Sequence, residues 1–364
     1  MKSEKRRYVG IDLGKRTYTM AVIGKAGKVS HSNGRTDSEG RATLYRKLEK
    51  GDKVALEAGN LAFMMAKEIM ERVGCEVAVL NAGKLALIYG SMKKTDKEDA
   101  LKLARILEQF REGQLPLVPL PSEEEMRRRK LIQSHKRAVK LRVQMVNLLH
   151  GLFVHQGITT VNKKDLAEKE SRETVVKLLG GQEREEAAWA LKAIDLAEER
   201  MVRLDGQMAK EREGDREIER LQRVPGVGPV VSLAYVAYVG DGSRFENAAQ
   251  VSNYLGLAPR VDISGTLVRY GGITKAGNGY LRALLVQAAW ALIRTKSGGT
   301  LKERYEYMTK EKGIGKKKAI VAIARRLGEL LWTLLRQGTD YEVRHFSGNK
   351  PISAKELAQQ ALTA

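Results

Sequence analysis

Tyr8-Val9-Gly10-Ile11-Asp12-Leu13-Gly14 is a short apolar run with one acid near its end, and it reads as a β-strand. Gly14-Lys15-Arg16 then turns the chain into a second apolar run, Tyr18 to Ile23. Gly24-Lys25-Ala26-Gly27 turns it again into Lys28-Val29-Ser30, which makes a β-meander. Working outward, 38–50 reads as a helix and Lys53-Val54-Ala55-Leu56-Glu57 as a strand. Leu61 to Val73 is an apolar helix stopped by Gly74, Glu76 to Leu80 a strand, and helices follow to about Phe110. The order βββαβαβα implies a mixed sheet with helices packed on it.

Four acids sit at telling places in this pattern. Asp12 lies in the first strand and Glu57 ends a later one. Asp96 and Asp99 lie three apart at the start of a helical pattern, so they share one helix face. Taken singly, each has a plain reading as a strand end, a helix N-cap or a surface acid. Taken together they form the layout of an RNase H-like nuclease. Four such carboxylates suit two Mg²⁺ ions about 4 Å apart, a device for phosphodiester chemistry. Glu98 is offset on the helix and faces elsewhere. Lys15 and Arg16, just after Asp12, are placed to touch phosphate.

The 364-residue chain carries 65 Lys and Arg against 44 Asp and Glu, a net charge of +21. That length suggests two or three domains, and that charge points to a polyanion, most simply nucleic acid. No apolar run approaches the length needed to span a membrane. Cys75 is the only cysteine, which excludes a disulfide framework and a thiolate zinc site. The opening, Met1 to Arg7, leads straight into a strand rather than an apolar secretory core. The expectation is a bacterial, cytoplasmic, nucleoid-associated protein.

Pro116, Pro119 and Pro121 mark a linker, which gives boundaries at 1–120, 121–215, 216–338 and a tail, 339–364, with a short helix at 354–362. The second segment reads as a long helical or coiled-coil region, with Ala138, Leu141, Met145, Leu148 and Leu152 as its apolar stripe. From Arg127 to Arg142 its polar side holds Arg127, Arg128, Arg129, Lys130, Lys136, Arg137, Lys140 and Arg142 and no acid. Such a run is either a solvated face or a face that tracks phosphates.

The third segment holds Val224-Pro225-Gly226-Val227-Gly228-Pro229 before an apolar helix, similar to a helix-hairpin-helix element. Gly226 and Gly228 would let backbone N–H groups approach a phosphate; the plain alternative is a turn with no ligand. Further on, Ser264-Gly265 reads as the tip of a hairpin between two short strands, and Gly277-Asn278 opens an apolar helix. Arg260, Arg269, Lys275 and Arg282 surround that serine in sequence and suit a phosphate site. From residue types alone Ser264 is a turn former, since no histidine lies nearby to activate it. Lys316-Lys317-Lys318 and Arg325-Arg326 make a basic C-terminal helix.

Together these motifs resemble one family. Gly10-Ile11-Asp12-Leu13-Gly14-Lys15, Leu56-Glu57-Ala58-Gly59 and Lys94-Thr95-Asp96-Lys97-Glu98-Asp99-Ala100 are similar to the DEDD domain of insertion-sequence-110 family transposases, itself similar to the Holliday-junction resolvase RuvC. The block from Val224-Pro225-Gly226-Val227-Gly228 through Leu255 to Pro259, and on through Gly272 to Asn278 and Leu281-Arg282, resembles that family's C-terminal transposase domain. The resemblance spans most of residues 6–335. It implies a RuvC-like domain, a helical coiled-coil segment and a helical C-terminal domain with a small hairpin.

It also implies an activity: recombination of donor and target double-stranded DNA, guided by a structured non-coding "bridge" RNA. The recombinase would act as a homo-oligomer, a dimer or tetramer. Asp12, Glu57, Asp96 and Asp99 match the family's Mg²⁺-binding acids. Ser264 matches the serine that attacks DNA to form a covalent phosphoserine link, with Ser252 and Ser297 as weaker matches. In the family the acids and the serine are thought to combine across subunits. A serine ester conserves the phosphodiester's energy, so strands rejoin without ATP. The alternative is a metal-dependent junction resolvase that hydrolyses DNA with water and has no need of Ser264.

Overall fold

The computed structural model describes residues 6–81, 83, 95–264 and 267–343. The expected tail helix at 354–362 and the turn positions 265–266 lie outside the described residues. The chain forms two compact units, Met1–Ser122 and Glu123–Ala364, so the long helices and the C-terminal part belong to one unit.

In the first unit β1 (Tyr8–Leu13), β2 (Thr17–Ile23) and β3 (Val29–Arg35) form the antiparallel meander read from the sequence. Asp37 caps α1 (Ser38–Lys47), its carboxylate accepting from Gly40 N–H. Next come β4 (Lys53–Glu57), α2 (Ala62–Val73), β5 (Glu76–Leu80) and α3 (Asp96–Gln109). Gly74 ends α2 at φ 77°, a left-handed conformation that glycine takes without strain. β4 runs parallel to β1, and β5 parallel to β4, giving the order β3-β2-β1-β4-β5. This mixed sheet with helices is compatible with an RNase H-like domain.

Strand pleating sends alternate residues to opposite faces. Val9, Ile11, Met20, Val54 and Leu56 face one layer with Leu44 of α1 and Met65 and Ile69 of α2. Ala21 and Ala55 face the other way, against Ala100, Leu103 and Ala104 of α3. Gly10 is on this second face. A Cβ there would lie 2.5 Å from Ala104 N and 2.8 Å from Leu103 Cβ, and closer still to the Ala100 carbonyl oxygen. Only glycine lets α3 sit this near β1.

The second unit opens with α4 (Glu123–His155), followed by α5 (Lys169–Val175) and α6 (Gly181–Arg212). The expected helical stretch is therefore three helices. α4 and α6 pair antiparallel, as the ion pairs Arg127–Glu211, Arg142–Glu198 and His155–Glu183 require. At 33 and 32 residues each is about 50 Å long. Leu149, Phe153, Leu166, Val176, Ala187 and Ile194 make a separate small core at the closed end of this hairpin.

Then follow α7 (Arg216–Gln222), α8 (Pro229–Val239), α9 (Ala248–Tyr254), β6 (Pro259–Ser264), β7 (Leu267–Ile273), α10 (Gly279–Leu292), α11 (Gly299–Glu306) and α12 (Lys316–Gln337). Every residue from Val231 to Val239 is buried, so α8 is a core helix, surrounded by apolar residues of α10 and α12. β6 and β7 form an antiparallel hairpin whose last pair is Ser264 with Leu267, as the sequence suggests. Asn278 caps α10, its Oδ1 accepting from Tyr280 and Leu281 N–H.

Candidate active site

Register and pleat bring the acids of the first unit toward one place. Ile11 pairs with Leu56 across parallel strands, so Asp12 and Glu57 follow side by side at the carboxyl ends of β1 and β4. Asp12 shares the face of Gly10, and Glu57 that of Ala55, which is the face covered by α3. α3 crosses Gly10 at Ala100, Leu103 and Ala104, and its carboxyl-terminal half packs near Tyr8. Its first turn, with Asp96 and Asp99, therefore lies toward Asp12. Thr95, not Asp96, is the N-cap: its Oγ1 accepts from Glu98 N–H.

The electrostatics record the same convergence. Burial lifts the Asp12 carboxyl above the ordinary range; the negative charges of Asp96, Asp99 and Glu57 then lift it further, against a lowering backbone hydrogen bond at Leu13. Lys102 Nζ donates to Asp99 Oδ1 at 2.9 Å, a partner the sequence reading missed. Among the described residues no three His, Cys, Asp or Glu side chains stand close enough to grip one cation as oriented here. The acids share a field without yet sharing a coordination shell. The donor set still suits a hard divalent cation: it is all carboxylate oxygen, and a cation relieves the repulsion gathered on Asp12. Lys15 and Arg16 are exposed in the β1–β2 turn; their carbonyls, accepting from Thr36 Oγ1 and N–H at 3.0 Å, secure that turn to the end of β3.

In the second unit several expected phosphate contacts are corrected. Arg127 is committed to Glu211, with Nε–Oε1 at 2.5 Å and Nη2–Oε2 at 3.1 Å. Arg128 is buried and bonds Asp215 and Glu124, each at 2.6 Å. Arg129 donates to the Ala237 carbonyl at 2.7 Å and stacks over Tyr238. Arg142 pairs with Glu198 at 2.7 Å. These four bind the hairpin and its neighbours together, since Glu211, Asp215, the Ala237 carbonyl and Glu198 come from other parts of the chain. Lys136 lies over the Tyr280 ring, with its nitrogen 5.1 Å from the centroid. Lys130, Arg137 and Lys140 are exposed with no ion-pair partner among the described residues, and they are what remains of the basic face.

Gly226 is also corrected. At φ 81° its missing Cβ makes room for α10: a side chain would meet Leu292 N at 2.6 Å and the Ala288 carbonyl more closely. It is a packing glycine turned to the core, not toward a phosphate. Gly228 opens onto free space as the N-cap of α8. Arg282 is drawn inward, its Nη1 donating to the carbonyls of Leu255 (3.1 Å) and Gly277 (3.4 Å). Ser252 is buried and donates to Glu329, so it is not an available nucleophile, whereas Ser297 is exposed. Arg260, Arg269 and Lys275 are exposed on or beside the β6–β7 hairpin. Lys275 is at φ 57°, the sole non-glycine residue at positive φ among those described. Ser264 stands at the end of β6; its side chain lies outside the described residues.

Convergent acids in a strongly basic chain define the class, an enzyme acting on nucleic acid. Comparison with known proteins makes this specific. A family model named DEDD_Tnp_IS110 and described as "Transposase" matches residues 9–155, and one described as "Transposase IS116/IS110/IS902 family" matches 218–306. A probable family 20 transposase of Pseudomonas aeruginosa is 29% identical over 296 residues, 79% of this chain and 85% of that protein. The transposase for insertion sequence element IS1111A of Coxiella burnetii is 27% identical, covering 70% of each chain. A pilin gene-inverting protein of Moraxella lacunata is 30% identical over 34% of this chain and 38% of that protein. The chain belongs to the IS110 family of transposases and is a DNA transposase/recombinase. Its DEDD domain implies dependence on a divalent metal. No helix among the described residues is long and apolar enough to cross a membrane.

Proposed function

We propose that the chain is an RNA-guided DNA recombinase that cuts and rejoins donor and target DNA through a covalent link at Ser264. The observation that carries this reading is the convergence of Asp96, Asp99 and Glu57 on Asp12, in a chain that also presents Ser264 at the end of a hairpin strand. Asp12, Glu57, Asp96 and Asp99 would hold Mg²⁺. Bound there, the metal polarises a phosphate and lowers the pKa of an attacking oxygen.

Ser264 Oγ attacks phosphorus. The bond from phosphorus to the leaving strand's oxygen breaks, and that oxygen takes up the proton Ser264 gives up. The hydroxyl of the exchanged strand then attacks the phosphoserine, restores a phosphodiester and returns a proton to Ser264. One phosphate ester replaces another at each step, so no energy source is consumed. Arg260, Arg269 and Lys275, exposed beside the hairpin, orient the DNA backbone. Lys130, Arg137 and Lys140 offer a path for the phosphates of a structured guide RNA. The active species is a homo-oligomer, a dimer or tetramer.

The test is a recombination assay with the RNA encoded beside the element, comparing wild type, Asp12→Ala and Ser264→Ala. Both variants lose strand exchange. Wild type, on a nicked substrate, yields a protein–DNA adduct stable to denaturant that Ser264→Ala does not form. Full cleavage by Ser264→Ala without an adduct refutes the serine mechanism in favour of hydrolysis by water.

A further inference from the structure

We propose that α6 carries a two-fold contact between copies of this chain: the helix packs antiparallel on its own copy, with Trp189 against Leu196 and Glu185 against Arg200. The inference rests on the reading of the active species as a homo-oligomer and adds to it where two copies meet.

α6 has more apolar surface than its own hairpin uses. Ala187, Ala190 and Ile194 face the small core beneath the helix. Arg172 of α5 covers one flank by bonding Asp195 and Glu198. Trp189 and Leu196 face neither: they are 56% and 64% exposed. Seven residues apart in sequence, they lie on one side of the helix about 10 Å from each other, with Ala193 between them. A single exposed apolar residue is ordinary on a protein surface. A tryptophan and a leucine on one stripe of a helix are the pattern of a face that a neighbour covers.

The charges around this pair identify the neighbour. Glu185 lies one turn before Trp189 and Arg200 one turn after Leu196; both are exposed, with no ion-pair partner among the described residues. Along the stripe the order is acid, apolar, apolar, base, and it is symmetric about a point between Lys192 and Ala193. A two-fold axis through that point, perpendicular to α6, sets residue i of one copy level with residue j of the other, and j with i. Trp189 of each copy then meets Leu196 of the other, and Glu185 of each meets Arg200 of the other. A parallel arrangement would oppose Glu185 to Glu185 and Arg200 to Arg200, and like charges across a contact disfavour it. Ala193, next to the axis, has only a methyl group and lets the helices approach closely. Lys192, on the other side of the axis, comes near its own copy, and its long stem carries the ammonium out to water. An unrelated partner would not require the stripe to be its own complement, which is why a second copy is the occupant.

Sedimentation equilibrium of the nucleic-acid-free full chain tests the contact. Glu185→Arg and Arg200→Glu each oppose like charges twice per dimer, and each is expected to weaken self-association about tenfold. The variant carrying both substitutions restores it. Circular dichroism melts that match the wild type exclude unfolding as the cause. Cross-linking reads the register. Cys75, the only native cysteine, is buried, so the double variant Trp189→Cys, Leu196→Cys should oxidise to a disulfide-linked dimer on non-reducing gels. Either single variant, about 10 Å from its own copy along the axis of the helix, should not. A double charge variant no better than the single ones, or a single cysteine variant that cross-links as well as the double, overturns this contact and leaves the homo-oligomer standing. A wild type that is monomeric at every concentration overturns both.

Discussion

Replacing Gly10 with alanine adds one methyl group at the closest approach of α3 to β1. That methyl would stand 2.8 Å from Leu103 Cβ, where carbon atoms ordinarily rest about 3.8 Å apart. The helix must retreat by roughly 1 Å, and more at the Ala100 carbonyl, which is backbone and has no rotamer to escape by. Overpacking of this kind costs about 1–3 kcal/mol. For a unit of this size that lowers the melting temperature by about 3–15 °C. The larger effect is on chemistry. Asp96 and Asp99 are carried on the first turn of the displaced helix, while Asp12 stays on β1. A misplacement of about 1 Å in a reacting constellation costs on the order of 100-fold in rate. Strand exchange by Gly10→Ala should therefore fall about 100-fold under conditions where circular dichroism shows the chain folded and anisotropy shows DNA still bound. Wild-type exchange together with an unchanged melting temperature would refute the seating of α3 on Gly10 as the device that aligns the acids.

Three further outcomes follow from charge. The Asp12 carboxyl is held above its ordinary pKa, so its ionised form is penalised in the folded state at neutral pH. Asp12→Asn should raise the melting temperature of the metal-free chain and abolish any further rise on adding Mg²⁺; calorimetry reads both. In the second unit Arg172, 1% exposed, bonds Glu198 at 2.6 Å and Asp195 at 3.0 Å. Arg172→Met should cost about 3 kcal/mol, read by urea unfolding. Burial pushes Glu198 upward, but Arg172 and Arg142 outweigh it and leave its pKa lowered; at Glu211 the hydrogen bonds from Arg127 lead the lowering. Both contributions are complete above the ordinary glutamate pKa and are lost as pH falls through the lowered values. Acid melts of Glu198→Gln should accordingly be flatter than those of the wild type.

The acids were legible because each is marked by a local pattern: a strand that carries Asp12, a strand that ends at Glu57, and an i, i+3 pair opening a helix. The seat that aligns them was not. Gly10 looks like any small residue in an apolar run until Ala100, Leu103 and Ala104, some 90 positions on, are brought against it. The basic run of α4 misled for the same reason. No acid lies among Arg127, Arg128 and Arg129, yet Glu211, Asp215 and the Ala237 carbonyl reach them from more than 80 residues downstream. Gly226 shows the ambiguity of glycine itself. A Pro-Gly-Val-Gly turn is compatible with a phosphate above it or a helix below it, and only the position of α10 decides. Ser264 depended on resemblance throughout, since a serine at a turn carries no physical mark of a nucleophile.

The left-handed backbone at Lys275 sets a trap for protein engineering. Glycine adopts that conformation without the cost, on the order of 1 kcal/mol, that a side chain incurs. A library screened only for heat resistance would therefore favour glycine at 275 and discard the amine beside the hairpin. Any thermostabilised version of this transposase has to be selected on strand exchange and melting temperature together, with position 275 held out of the library.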